Sequence, residues 1–306
     1  MNFDVTILGS SSATPIYDRH PSAQVLNIHE RFFLIDCGEG TQMQLNRYHI
    51  RYHRINHIFI SHMHGDHYLG LMGLLSTMHL QGRTAELHLF GPRELKHITD
   101  LQLEYSQTVL RYPLIFHEIK TTQKKIIYDD DVISVESLPM NHRIDCCGFL
   151  FREKEGLRKL VKEKLEEHQI PYTFYTDLKK GLDYIDENGN KIHNESITLP
   201  PNRARAYAYC SDTIYDESVA KFVSGVDMLY HEATFTDNML DRAKETFHST
   251  ASQAARIAAK AKVKQLLIGH FSARYKDVSP LLDEAVKIFP RSALAIEGER
   301  FAIETD

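Results

Sequence analysis

The feature that most constrains this chain is the run His62-Met63-His64-Gly65-Asp66-His67, placed directly after the apolar stretch from Ile55 to Ser61. The β-branched and aromatic residues of that stretch predict a strand. On extended chain the side chains at 62 and 64 point the same way. Gly65 permits a tight turn that can aim Asp66 and His67 at the same space. Crowding three imidazoles and a carboxylate at the end of an apolar strand is unfavourable unless a cation is shared among them. Imidazole and carboxylate donors without thiolate suit zinc, and also accommodate manganese or iron. The run is therefore read as a metal site, although most of the 18 histidines in the chain are expected at the surface or the core edge.

One short loop cannot complete two sites, so further ligands are expected at other strand ends. His142 follows the strand-like run Val132–Met140, Asp212 follows Ala206–Cys210, and His270 follows Gln265–Gly269. With His62, His64, Asp66 and His67 they make seven ligands. That is enough for two four-coordinate ions if one carboxylate bridges, and Asp212 is the expected bridge.

Strand signals also occur at 5–9, 31–35, 86–90, 226–230 and 293–297, and helix signals at 92–108, 216–223 and 249–262. Ser249-Thr250-Ala251-Ser252 opens the last of these with N-cap residues. Residues 68–80 are apolar nearly all round, which predicts a buried helix. Strands mixed with helices over 306 residues, 42% of them hydrophobic, indicate one α/β layered domain spanning 1–306. Residues 152–200 break the pattern: they carry nine Lys/Arg and ten Asp/Glu, predict an exposed helix over 158–168 and a hairpin tip at 186–190, and read as an inserted arm.

These residues resemble the metallo-β-lactamase superfamily, whose fold is an αββα sandwich. That pattern alone does not choose a reaction. Finer motifs are similar to the tRNase Z family: Gly9-Ser10-Ser11-Ser12-Ala13-Thr14-Pro15, Phe33 to Gln42, His231-Glu232-Ala233-Thr234-Phe235, His248-Ser249-Thr250, and Gly269 to Tyr275. The resemblance implies a zinc-dependent endoribonuclease that cuts precursor tRNA at its 3′ end. It implies one zinc on His62, His64, His142 and Asp212, and a second on Asp66, His67, His270 and Asp212. It further implies Asp66 as proton acceptor, His248 as proton donor oriented by Glu232, an exosite arm at 152–200, and a homodimer. The alternative is a general phosphodiesterase of the same fold, acting on cyclic nucleotides or short RNA.

The family's glycine-proline element in the arm is missing, since the chain reads His168-Gln169-Ile170-Pro171-Tyr172 there. The net charge of −5 does not advertise a nucleic-acid binder. The basic segment from Arg47 to Arg54 is read as a solvated connection. Ser272, Arg274 and the Ser10–Ser12 loop are candidate phosphate contacts, and His231 a structural neighbour of the site. Cys37, Cys146, Cys147 and Cys210 form no CxxC pair and read as reduced thiols. With no signal peptide and no membrane span expected, a cytoplasmic location follows.

Overall fold

Two seven-stranded sheets carry the molecule. The computed structural model describes residues 2–304. The first sheet takes β1 (Phe3–Gly9), β2 (Ala23–Ile28), β3 (Arg31–Ile35), β4 (Ile55–Phe59), β5 (Leu87–Gly91) and β6 (Leu114–Glu118), with Arg300–Ala302 added outside β1. Its first pairings are antiparallel, and those from β3 to β6 are parallel. The second sheet begins with the antiparallel strands β7 (Lys125–Asp129), β8 (Ile133–Met140) and β9 (Cys146–Glu153).

The chain then leaves the sheet through β10 (Lys159–Leu160), β11 (Tyr184–Ile185), β12 (Lys191–Ile192) and β13 (Thr198–Leu199). These pair only among themselves, around a small cluster of Leu165, Ile170, Leu178, Tyr184 and Ile197. It returns for β14 (Ala206–Cys210), β15 (Met228–Glu232), β16 (Gln265–Gly269) and β17 (Ser292–Leu294), which are parallel to one another.

Alternation along the strands explains the layers. One face of each sheet turns to the other sheet and packs Phe33, Phe59, Phe149, Phe151, Tyr209 and Tyr230 between them. Phe59 stacks on Phe90 at 4.5 Å and meets Phe151 edge-on at 5.5 Å. The outer face of the first sheet receives Leu45, Leu71, Leu74, Leu75, Met78 and Leu95 from three helices. The outer face of the second receives the alanine-rich helix Ala251–Ala261 and the helix Ser279–Ile288. The result is the expected αββα sandwich.

Several local expectations differ from what forms. The apolar run 68–80 is broken near Gly70 into Gly65–Tyr68 and Leu71–Leu80. A Cβ on Gly70 would sit 2.1 Å from the Gly38 carbonyl oxygen, so the chain turns where backbones touch. The exposed helix expected over 158–168 is confined to Lys162–Glu167, because Lys159 and Leu160 pair with β13. The strand expected at 293–297 stops at Leu294. The hairpin expected at 186–190 is present, its turn held by the Asp186 carboxylate accepting from the Asn188 and Asn190 amides. All four cysteines are buried and free, and no helix among the described residues is long and apolar enough to cross a membrane.

Candidate metal centre

The carboxyl ends of the parallel strands β3, β4, β14, β15 and β16 meet at one edge of the sandwich, the place where open α/β sheets put their ligands. β4 runs out through Ser61 into His62 and His64, and the following turn presents Asp66 and His67. His142 follows β8, Asp212 follows β14 and His270 follows β16. His270 sits in the left-handed region at φ 60°, a strain of the kind stored at functional sites.

The expected ligands converge. His62, His64, His142 and Asp212 bring one donor atom each to within 4.8 Å of one another, and so do Asp66, His67 and His270. Asp212 lies between the two groups. Its Oδ2 faces His62 Nε2 at 3.5 Å, His67 Nε2 at 3.5 Å and His142 Nε2 at 3.7 Å, while its Oδ1 faces His270 Nε2 at 3.2 Å. Asp66 Oδ2 stands 3.3 Å from His270 Nε2 and 3.6 Å from His67 Nε2.

The donor set fits a metal by its own chemistry. His67 Nε2 and Asp212 Oδ1 are fully buried yet make no hydrogen bond, although the His270 ring lies close to the latter. Buried polar atoms without partners are rare and call for an explanation. Burial and the neighbouring imidazoles push His64 down to about 4. Burial also brings His142 down to about 4, although Asp212 opposes it. Both are thus neutral, with lone pairs to donate. Burial alone would raise the Asp66 and Asp212 carboxyls, but the histidines around them hold both below the usual carboxylate range.

Hydrogen bonds around the ligands set the imidazole orientations. Asp36, left-handed at φ 55° and fully buried, faces His67 Nδ1 at 2.7 Å through Oδ2. The same carboxylate accepts from the Ser61 amide, the Ser61 hydroxyl and the Tyr209 hydroxyl. His142 Nδ1 is held by the Phe247 carbonyl at 2.9 Å, and His270 Nδ1 by the Thr234 hydroxyl at 3.0 Å. The Ala13 amide donates to Asp66 Oδ2 at 2.7 Å. The sequence reading did not assign Asp36, Thr234 or Ala13 to the site. Asp36 had a visible signal, the polar Asp-Cys-Gly-Glu-Gly turn after an apolar strand.

Beside the ligands lies the pair expected for proton donation. His248 Nδ1 meets Glu232 Oε1 at 2.9 Å, and the ring packs 5.1 Å from His142 and 5.3 Å from His270. Burial opposes a charge on His248, but the Glu232 carboxylate outweighs it and lifts the imidazole to about 9. Glu232 is fixed in turn by the Thr213 amide and the Thr234 hydroxyl. His231 is buried with Nδ1 on the Glu232 carbonyl. Ser272 is buried and its hydroxyl accepts from the Arg274 amide, while Arg274 is exposed.

Residues 3–103 match the family model described as Anti-Pycsar protein Apyc1. Ribonuclease Z of Bacteroides fragilis is 48% identical over 97% of this chain and 97% of its own length. Ribonuclease Z of Cytophaga hutchinsonii is 48% identical over 99% and 97%. Among solved structures, human tRNase Z, short form, aligns with a TM-score of 0.71 at 27% identity, over 98% of this chain and 99% of that one. The metallo-β-lactamase fold protein YhfI of Bacillus subtilis shares the fold with a TM-score of 0.69 at 17% identity, over 99% and 100%. Near-half identity along the whole length, on a sandwich whose edge gathers this donor set, places the chain in the ribonuclease Z family.

Proposed function

We infer that this chain is a metal-dependent endoribonuclease that processes the 3′ end of precursor tRNA, leaving a tRNA 3′-hydroxyl and a trailer with a 5′-phosphate. The observation that carries the reading is the convergence of seven ligands on two adjoining positions beside a charged His248–Glu232 pair. His62, His64, His142 and Asp212 would hold one ion, and Asp66, His67, His270 and Asp212 the other. Two Zn²⁺ per subunit suit these nitrogen and carboxylate donors, and Mn²⁺ or Fe²⁺ could replace them. When bound, such a pair supplies charge neutralisation at the phosphate and a water acidified toward neutrality.

The side chains then divide the proton work. Asp66 accepts the proton of the attacking water, whose oxygen forms the new bond to phosphorus as the bond to the ribose 3′-oxygen breaks. His248 donates a proton to that departing oxygen. Its Nδ1 is engaged by Glu232, so Nε2 is the donating position. Attack by water leaves the neighbouring 2′-hydroxyl unused, so no cyclic phosphate forms. Ser272, Arg274 and the Ser10–Ser12 loop are the proposed contacts to the RNA backbone. Residues 152–200 serve as the exosite arm of a cytoplasmic homodimer, one subunit's arm assisting substrate on the other.

The test is cleavage of a precursor tRNA by the purified, metal-loaded protein. A cut just after the discriminator base is expected. Hydrolysis of a small phosphodiester with the precursor left intact would contradict the assignment and favour the general phosphodiesterase.

A further inference from the structure

The loop from Ser10 to Thr14 touches the metal centre through its Ala13 amide, which reaches Asp66 Oδ2 at 2.7 Å. That oxygen also faces His67 and His270. Ala13 adopts φ 65°, a left-handed conformation that a residue with a Cβ does not hold without outside constraint. The constraint comes from the far end of the chain. Glu297, in the turn after β17, sends its largely buried carboxylate under the loop. Its Oε1 accepts from the Ser10 amide at 3.2 Å and the His20 amide at 2.6 Å. Its Oε2 meets His20 Nδ1 at 2.8 Å and accepts from the Gln44 side chain at 2.9 Å.

Four groups from three segments thus close on one side chain, and the loop is locked beyond it. Ser11 donates to the His20 carbonyl at 2.9 Å, Ser12 donates to the Phe271 carbonyl at 3.0 Å, and Phe271 donates back to the Ser10 carbonyl at 2.8 Å. Phe271 directly follows the ligand His270. The fit has no slack, since a Cβ on Gly9 would lie 1.7 Å from the Pro21 carbonyl oxygen.

We propose that Glu297 is a positioning residue for Asp66: by clamping the loop it aims the Ala13 N–H at Asp66 Oδ2 and so fixes the carboxylate orientation on the Asp66–His67–His270 side of the centre. The proposal rests on the functional reading above for its catalytic consequence, but not for its metal-binding consequence. Removing the clamp takes away the Ser10 and His20 anchors while the backbone bonds of Ser11, Ser12 and Phe271 remain, so the Ala13 N–H drifts from Asp66 Oδ2 and the carboxylate then samples rotamers that point away from His67 and His270. The His62–His64–His142 side has no bond to this loop among those described and stays as it is. Groups that orient metal ligands typically matter by roughly 10–100-fold in affinity or activity.

The experiment uses the full chain in its metal-free form, titrated with Zn²⁺ against a chromophoric chelator, alongside kinetics on precursor tRNA with the loaded protein. For Glu297→Ala, one zinc is expected to weaken by roughly tenfold or more while the other is unchanged. The value of kcat should fall by a similar factor, with KM held within about twofold. Glu297→Gln keeps an oxygen for the Ser10 and His20 amides but gives up the bond accepted from Gln44, so both readouts should fall between those of wild type and the alanine variant. Equal weakening of both zincs would mark Glu297 as a general fold contact and overturn the proposal, as would wild-type zinc affinity in the alanine variant. If the unaltered protein binds two zincs yet leaves precursor tRNA whole, the functional reading fails while the zinc titration still decides the role of Glu297.

Discussion

His248 shows how one buried contact fits a side chain for the proton-donor role proposed for it. Burial disfavours a charge on this imidazole, yet the Glu232 carboxylate beside Nδ1 outweighs it and favours the protonated form. General-acid groups contribute roughly 10²–10⁴-fold. His248→Ala should therefore lower kcat by roughly 10²–10⁴-fold without changing metal content, measured by single-turnover cleavage and elemental analysis. Asp36 acts differently, touching no substrate and orienting His67 through Nδ1. Asp36→Ala leaves a buried imidazole nitrogen and two hydroxyls without their acceptor. It should weaken metal binding by roughly 10–100-fold in chelator competition. Loss of cleavage without loss of metal affinity would count against that role.

At the scale of elements, what could be read depended on whether the signal was local. The strand into His62 and the cap of the alanine-rich helix were legible because periodicity and end chemistry lie within a few residues. That cap forms as expected, with the Thr250 hydroxyl accepting from the Gln253 amide in a full capping box. Thr250→Ala should lower stability by about 1 kcal/mol in urea unfolding. The strand β7 and the helix Ser279–Ile288 escaped the sequence reading. β7 is an edge strand whose Ile126 is 55% exposed and whose Ile127 and Tyr128 are only partly buried, so its five residues show no clean apolar alternation. The helix packs mainly against the alanine-rich helix Ala251–Ala261, with only Leu281 and Ala285 fully buried. Likewise the ligand residues were legible by type and position after strands, but the amide of Ala13 was not. A backbone N–H carries no signature in the side chain, and its aim depends on Glu297, which lies 284 positions away (297 − 13).

At the scale of the whole molecule, two features beyond the core hold the sandwich closed. One is the charge cluster where β9 and β14 meet. Glu153 there accepts from the Arg205 amide and guanidinium and pairs with His29 Nε2 at 2.6 Å, while Arg205 also donates to the Ile303 carbonyl. Burial pushes the Glu153 carboxyl up, but the Arg205 contacts outweigh it and hold it below its ordinary value. A depressed carboxyl stabilises the fold fully above its unfolded value of about 4.3, and that stability is lost as pH falls through the lower folded value. Arg205→Met should therefore shift the acid-unfolding midpoint upward and remove roughly 3 kcal/mol at neutral pH, followed by circular dichroism. An unchanged midpoint would show that the cluster is passive.

The other feature is the cluster of His and Asp donors where the parallel strand ends of both sheets meet, which a bound ion would tie together. Ions that bind only the folded chain stabilise it by mass action, so chelation should lower the melting temperature and added Zn²⁺ restore it. The central claim is that seven side chains form two adjoining metal positions around Asp212. Anomalous diffraction from crystals grown with Zn²⁺ tests it most directly. The account predicts two peaks flanking Asp212, one among His62, His64 and His142 and the other among Asp66, His67 and His270. A single peak, or none with Zn²⁺ in excess, would contradict it.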